Sequence, residues 1–175
     1  MSKSSPSDTA PEGLGNGSGK PASPEPAGAP QGAPSMRILG QYLKDLSFEN
    51  PHAPHSLGQQ QPQPDVAISV NVNARNVGGN DFDVELQIAA KAMAQEKVTF
   101  MAELVYGGTF RLENFPQQML HPAVLIECPR MLFPFARQIL AEATRNGGFP
   151  PLMLDPIDFA SMYQRRMQQQ TVGQA

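Results

Sequence analysis

Four stretches of the chain alternate apolar and polar residues with a period of two, and this alternation constrains the fold more tightly than any other feature. Over residues 65–75, Val66, Ile68, Val70, Val72 and Ala74 share one face, and Asp65, Ser69, Asn71, Asn73 and Arg75 share the other. Residues 82–93 set Phe82, Val84, Leu86 and Ile88 opposite Asp83, Glu85 and Gln87. Residues 98–112 set Val98, Phe100, Ala102, Leu104 and Tyr106 opposite Thr99, Glu103 and Gly107. An earlier stretch, 37–49, is less regular, with Ile38, Tyr42, Leu46 and Phe48 on one parity and Asp45, Ser47 and Glu49 on the other. Successive strand residues point to opposite faces, so each segment buries one face and wets the other. That is the pattern of an antiparallel sheet.

The joins agree. Gly78-Gly79-Asn80-Asp81 reads as a turn, and Gln95-Glu96-Lys97 as a shorter one. A meander with short hairpins at its later joins is the simplest topology. Residues 50–64 hold four prolines, which makes a hairpin impossible and predicts a long, stiff crossover. Gly107-Gly108 predicts a bulge or bend in the fourth strand. The remainder has helical spacing. One short helix is expected over 117–127, ended by Pro129. A second is expected over 131–146, with Pro134 in its first turn, Gly147-Gly148 as its stop, and a stripe of Leu132, Phe135, Ala136, Ile139, Leu140 and Ala143. A last helix, 158–170, carries Phe159, Met162 and Tyr163, then Arg165-Arg166 near its dipole-negative end. Strands followed by helices predict an α+β domain, a four-stranded antiparallel sheet with helices packed on one side.

The ends read differently. Of 18 prolines and 15 glycines, a large share precedes Met36, in a stretch with almost no large apolar residue to offset chain entropy. Residues 1–35 are expected to be a disordered tail, 36–170 the folded domain and 171–175 a flexible end. With 13 Lys+Arg against 16 Asp+Glu and no basic stripe, nucleic acid is excluded as the main ligand. No apolar run approaches the ~20 residues that span a bilayer, and no signal-peptide segment is present, so a cytoplasmic location is expected. The single cysteine, Cys128, allows no internal disulfide and fits a reducing compartment.

Catalytic motifs are weak. Gly13-Leu14-Gly15-Asn16-Gly17-Ser18-Gly19 follows no strand, opens no helix and lacks the ending of a phosphate loop, so it reads as linker. His52, His55 and His121 have no zinc spacing. Cys128 and His121 are close enough in sequence to share a helix face, the basis of a hydrolase reading, but no third orienting group accompanies them. An inert, buried thiol is preferred. No enzyme activity, cofactor or metal is expected. Asp45 and Glu49 project to one side of their strand, and a solvated face accounts for them taken alone. Nine methionines and nine phenylalanines exceed what a sheet with a few helices covers generously, which predicts an exposed groove or a subunit interface for the set.

Several blocks resemble the SecB family of export chaperones: Tyr42-Leu43-Lys44-Asp45-Leu46-Ser47-Phe48-Glu49-Asn50-Pro51, Gly107-Gly108-Thr109-Phe110, Cys128-Pro129-Arg130-Met131-Leu132-Phe133-Pro134-Phe135-Ala136-Arg137 and Gly148-Phe149-Pro150-Pro151-Leu152-Met153-Leu154-Asp155-Pro156. Their order matches the family from Met36 to about Gln170; the long start and the short, uncharged end depart from it. The resemblance implies a homotetramer, a dimer of dimers with long helices between sheets. It implies an ATP-independent holdase that keeps secretory preproteins unfolded and hands them to the SecA motor. Asp45, Glu49 and Glu103 match the acidic positions the family uses against SecA. Apolar face and family likeness together nominate Val66, Ile68, Val70, Phe110, Leu112, Phe159, Met162 and Tyr163 as the client groove. Alternatives are a SecB-like chaperone of a toxin–antitoxin system and a carrier of small hydrophobic ligands.

Overall fold

The computed structural model describes residues 32–56 and 63–172, the last three by their backbone alone. The expectations for residues 1–31, for 57–62 of the crossover and for 173–175 fall outside these. Strands β1 (Ser35–Glu49), β2 (Asp65–Gly78), β3 (Asp81–Ala94) and β4 (Lys97–Glu113) form one antiparallel sheet in the order β1-β4-β3-β2. The last three make the expected meander. The first does not extend it beside β2; it pairs with β4 at the far edge. Residues 50–64 therefore connect the two edges of the sheet, a lateral distance of about 14 Å at three strand spacings. Between β3 and β4, Gln95 and Glu96 both have positive φ (49° and 63°), as in the mirror-image turns whose twist matches paired strands.

β1 departs from its expected parity. Register shifts between Ile38 and Gly40 and between Leu43 and Asp45 turn the strand over twice. Tyr42 consequently pairs with Gly107 on the helix-free face, while Leu43, Leu46 and Phe48 pair with Tyr106, Leu104 and Ala102 on the other. β4 runs in unbroken register with β3 through Gly107 and Gly108, so the irregularities lie in β1 and not at the glycines. Those glycines make room instead. A Cβ at Gly107 would lie 2.5 Å from Tyr42 Cζ, and one at Gly108 2.9 Å from Leu132 Cδ2.

Residues 117–146 form one continuous helical run: α1 (Gln117–Pro122), a π-helical turn (Ala123–Glu127) and α2 (Cys128–Asn146). Pro129 was expected to stop the first helix. It sits in the first turn of α2 instead, because the chain enters it through the π turn, where the Cys128 amide donates to the Ala123 carbonyl five residues back. The wider turn passes a proline that a regular α-turn would resist. α2 buries Cys128, Leu132, Phe133, Ala136, Leu140 and Thr144. Phe135 was expected on this stripe but is 46% exposed, and Phe133 takes the inward place, edge-on to Phe159 at 6.2 Å. The core lies between α2 and the inner faces of β3 and β4, with Val84, Leu86, Ile88, Leu104 and Phe110 almost fully covered.

After α2, Gly148 adopts positive φ (88°) and the Phe149 amide donates to the Thr144 carbonyl. Phe149 joins Phe48 and Phe100 in an aromatic cluster with ring centroids 5.0–6.3 Å apart. A final helix, α3 (Phe159–Val172), follows. Among the described residues no helix is long and apolar enough to cross a membrane.

Candidate functional site: an acidic sheet face and an apolar cleft

The helix-free face of the sheet gathers the three carboxylates singled out from sequence. Asp45 pairs with Val105, Ser47 with Glu103 and Glu49 with Met101. Glu103 thus lies directly across from Ser47, with Asp45 and Glu49 on its two diagonals, about 7–8 Å apart at the backbone. All three are exposed. Their neighbours on the same face are neutralised: Glu85 by Lys44 at 2.6 Å, Asp83 by Arg75 at 2.8 Å and Asp81 by Arg111 at 2.7 Å. Asp45, Glu49 and Glu103 make no ion pair among the described residues. The Arg111 guanidinium holds the Asp81 carboxyl below the usual carboxylate range. Tyr42, laid over Gly107, donates to Asp83 Oδ1 at 2.8 Å. Burial, and then this bond, push its hydroxyl up to about 12. Tyr42, Asp83 and Arg75 therefore link β1, β3 and β2 across the strand between, stiffening the face beside the free acids.

The helix side is apolar and incompletely closed. Of the eight residues nominated as client groove, Val66, Val70, Met162 and Tyr163 are half-buried, and Ile68 is 41% exposed. Phe110, Leu112 and Phe159 are core residues at 0%, 2% and 2%, of which Phe159 also lines the cleft between β2 and α3. The reason is position. Phe110 and Leu112 lie on β4, an interior strand covered by helices, whereas Val66, Ile68 and Val70 lie on β2, an edge strand. Phe159 opens α3 by wedging against Phe133. Periodicity gives a face but does not rank strands from edge to centre.

Between β2 and α3 the structure leaves an open cleft of about 550 Å³, with Val72, Leu125 and Met162 in its lining and Arg165 and Arg166 beside them. A second, of about 330 Å³, continues toward α1 between Ala74, Phe82, Leu120 and His121. Arg166 lines both and donates to the Val72 carbonyl at 2.9 Å. His121 Nδ1 and the Tyr163 hydroxyl are 2.9 Å apart, tying α1 to α3. Leu125 and the arginine pair were missed as lining residues, since only their place on facing elements reveals them. A further apolar surface follows β1 and the outer side of α2, where Leu43, Leu46, Met131 and Phe135 are all at least 40% exposed. Phe135 stacks on Tyr106 at 6.2 Å. Beside it on α2, Arg137 buries its Nε with no partner among the described residues.

Cys128 and His121 do not form a nucleophile pair. The thiol is fully buried against the Met36 sulfur at 3.9 Å, and burial pushes it up to about 12. A thiol so reluctant to ionise is inert. His121 is engaged with Tyr163 instead. No metal-binding cluster occurs among the described residues.

A family profile described as SecB, preprotein translocase subunit SecB, matches residues 29–170. The chain belongs to the SecB family. It is 61% identical over 153 residues to the protein-export protein SecB of Afipia carboxidovorans, covering 87% of this chain and 92% of that one. It is 59% identical over 148 residues to the protein-export protein SecB of Azorhizobium caulinodans, covering 82% and 92%. Its function is accordingly that of a SecB chaperone in protein export. Among solved structures, the fold is similar to the SecB-like chaperone Rv1957 of Mycobacterium tuberculosis, solved with a ChAD peptide from the HigA1 antitoxin. That match has a TM-score of 0.54 at 17% identity and covers 70% of this chain and 90% of that one. At that identity the likeness is one of fold alone, so the toxin–antitoxin alternative gains no support from it.

Proposed function

We propose that this SecB-family chain is an ATP-independent holdase that binds unfolded secretory preproteins on its helix side and delivers them to SecA through its sheet face. The observation that carries the first half is the apolar surface left open along β2 and α3, at Ile68 and Met162 beside the cleft that Val72 floors. Apolar burial is non-directional and tolerates many sequences, and binding the unfolded state withdraws it from aggregation by mass action without nucleotide. The half concerning SecA rests on Asp45, Glu49 and Glu103, three exposed carboxylates on one face with no ion pair among the described residues, suited to a basic docking surface. The surface along β1 and α2, with its orphaned Arg137 Nε, supports assembly into a homotetramer of two dimers, in which these helices are covered. A cytoplasmic location fits a chaperone that meets its clients before export.

Purified protein mixed with a denatured precursor in the absence of ATP should slow the precursor's refolding in proportion to its concentration. An unchanged refolding rate at excess chaperone would remove the holdase reading. Because Phe159 is core, the groove is tested at surface positions. Ile68→Ser with Met162→Ser should weaken client binding while the oligomer persists in sedimentation, and unchanged calorimetric affinity would reject that groove.

A further inference from the structure

The two edges of the sheet are not alike. β1 is broken by two register shifts, between Ile38 and Gly40 and between Leu43 and Asp45, irregularities that blunt an edge against further pairing. β2 runs against β3 in unbroken register from Asp65 to Asn76, with no proline and with charged side chains only at Asp65 and Arg75. The hairpin between β3 and β4 fixes which way the backbone of β2 faces. Ala94 and Lys97 flank its two-residue turn, and the pair that closes such a turn exchanges both of its hydrogen bonds. Ala94, and with it the other even residues of β3, therefore faces β4. The odd residues of β3 face β2, where their partners are also odd, as Gln87 is opposite Asn71. Val66, Ile68, Val70 and Val72 are left turning their N–H and C=O groups away from the sheet. The Val72 carbonyl agrees, since it accepts from Arg166 Nη1 of α3 at 2.9 Å. Among the described residues nothing bonds to the outward groups of Val66, Ile68 and Val70.

We infer that the open edge of β2 from Val66 to Val70 is a strand-addition site. An extended segment of a client polypeptide pairs its backbone with these residues as a fifth strand, and Arg166 ends the pairing at Val72. The inference rests on the client-binding reading of this side of the molecule and says how the client is held. Main-chain pairing gives affinity without regard to side-chain identity, which suits a site that takes many sequences. The added strand lies about 4.8 Å beyond β2, so its side chains of one parity fall beside those of Val66, Ile68 and Val70, which face the helix side and are exposed or half-buried. At Val72 the guanidinium already holds the carbonyl that the next rung needs. The open edge is then only about 14 Å long, a short template that gives little purchase to edge-to-edge aggregation.

The test uses the full-length native assembly and an extended fluorescent peptide with valine at alternate positions. Its depsipeptide analogue keeps the side chains but replaces the amides with esters, removing every backbone donor. The amide peptide should bind about tenfold or more tightly than the ester, the combined effect of several net hydrogen bonds. In hydrogen exchange read by NMR, the bound amide peptide should protect the amides of Val66, Ile68 and Val70 and leave Val72 unchanged. In Arg166→Ala the protection should extend to Val72. Equal affinity of the two peptides, or edge amides that exchange as in the free protein, would overturn strand addition and leave the apolar groove standing. Protection that reaches Val72 in the wild type, or stops short of it in Arg166→Ala, would overturn the arginine's part. If neither peptide binds, the client-binding reading fails as well.

Discussion

The two faces of one sheet solve opposite problems with the same alternating strands. On the helix side, β3 and β4 press Val84, Leu86, Ile88, Leu104 and Phe110 against α2 and leave almost no accessible surface, while the edge strand β2 leaves Ile68 open. On the helix-free side charged and polar residues predominate, interrupted by Val105 and Met101. Charges there are paired across strands at Lys44–Glu85, Arg75–Asp83 and Arg111–Asp81, while Asp45, Glu49 and Glu103 make no ion pair among the described residues. Stability and function thus separate by position within a face. The unpaired remainder, greasy on one side and acidic on the other, is what the proposed partners would use.

The contrast breaks hardest at the core. Leu132 is fully buried beneath Gly108, so Leu132→Ala should cost about 2–5 kcal/mol of unfolding free energy in denaturant titration, whereas Ser47→Ala on the polar face should stay within about 0.5 kcal/mol. Next comes the glycine under Tyr42. Gly107→Ala places a methyl group against the ring and should cost about 1–3 kcal/mol. The cost should shrink when Tyr42 is also shortened, a coupling that a double-mutant cycle reads.

Smaller still is the hydroxyl itself. Tyr42→Phe removes its bond to Asp83 and should cost about 0.5–1.5 kcal/mol near neutral pH. The sign of its pH dependence follows from a folded state that holds the proton more tightly than the unfolded one. The stabilisation is complete below the ordinary value of 10.0 and is lost as pH rises toward about 12. Cys128 acts in the same sense from 9.0 upward. Alkaline titration of stability should therefore fall less steeply above pH 10 in Tyr42→Phe than in the wild type; identical slopes would show that the tyrosine bond is not formed.

Much of this arrangement was legible in the sequence, and the failures have physical causes. β2, β3 and β4 announced themselves because uninterrupted alternation with short turns leaves little choice. β1 was read on the wrong parity at Tyr42, since its two irregularities are set by pairing with β4, a partner distant in sequence. Pro129 was taken as a stop because prolines usually are, and the π turn that admits it depends on packing. Asp45 and Glu49 were legible as sharing one side of β1 from their spacing, and only the pairing of β1 with β4 brings Glu103 beside them. Phe110 and Leu112 are buried within this chain, whereas Phe159, though buried, lines the cleft; an apolar strand face looks the same whether a helix covers it or not.

The separation of the two faces is tested most directly by the triple variant Asp45→Ala, Glu49→Ala, Glu103→Ala, titrated first with a denatured precursor and then with SecA. Client affinity unchanged from wild type, with SecA binding lost, is the predicted outcome. Undiminished SecA affinity, or a client affinity that falls together with it, would contradict the account.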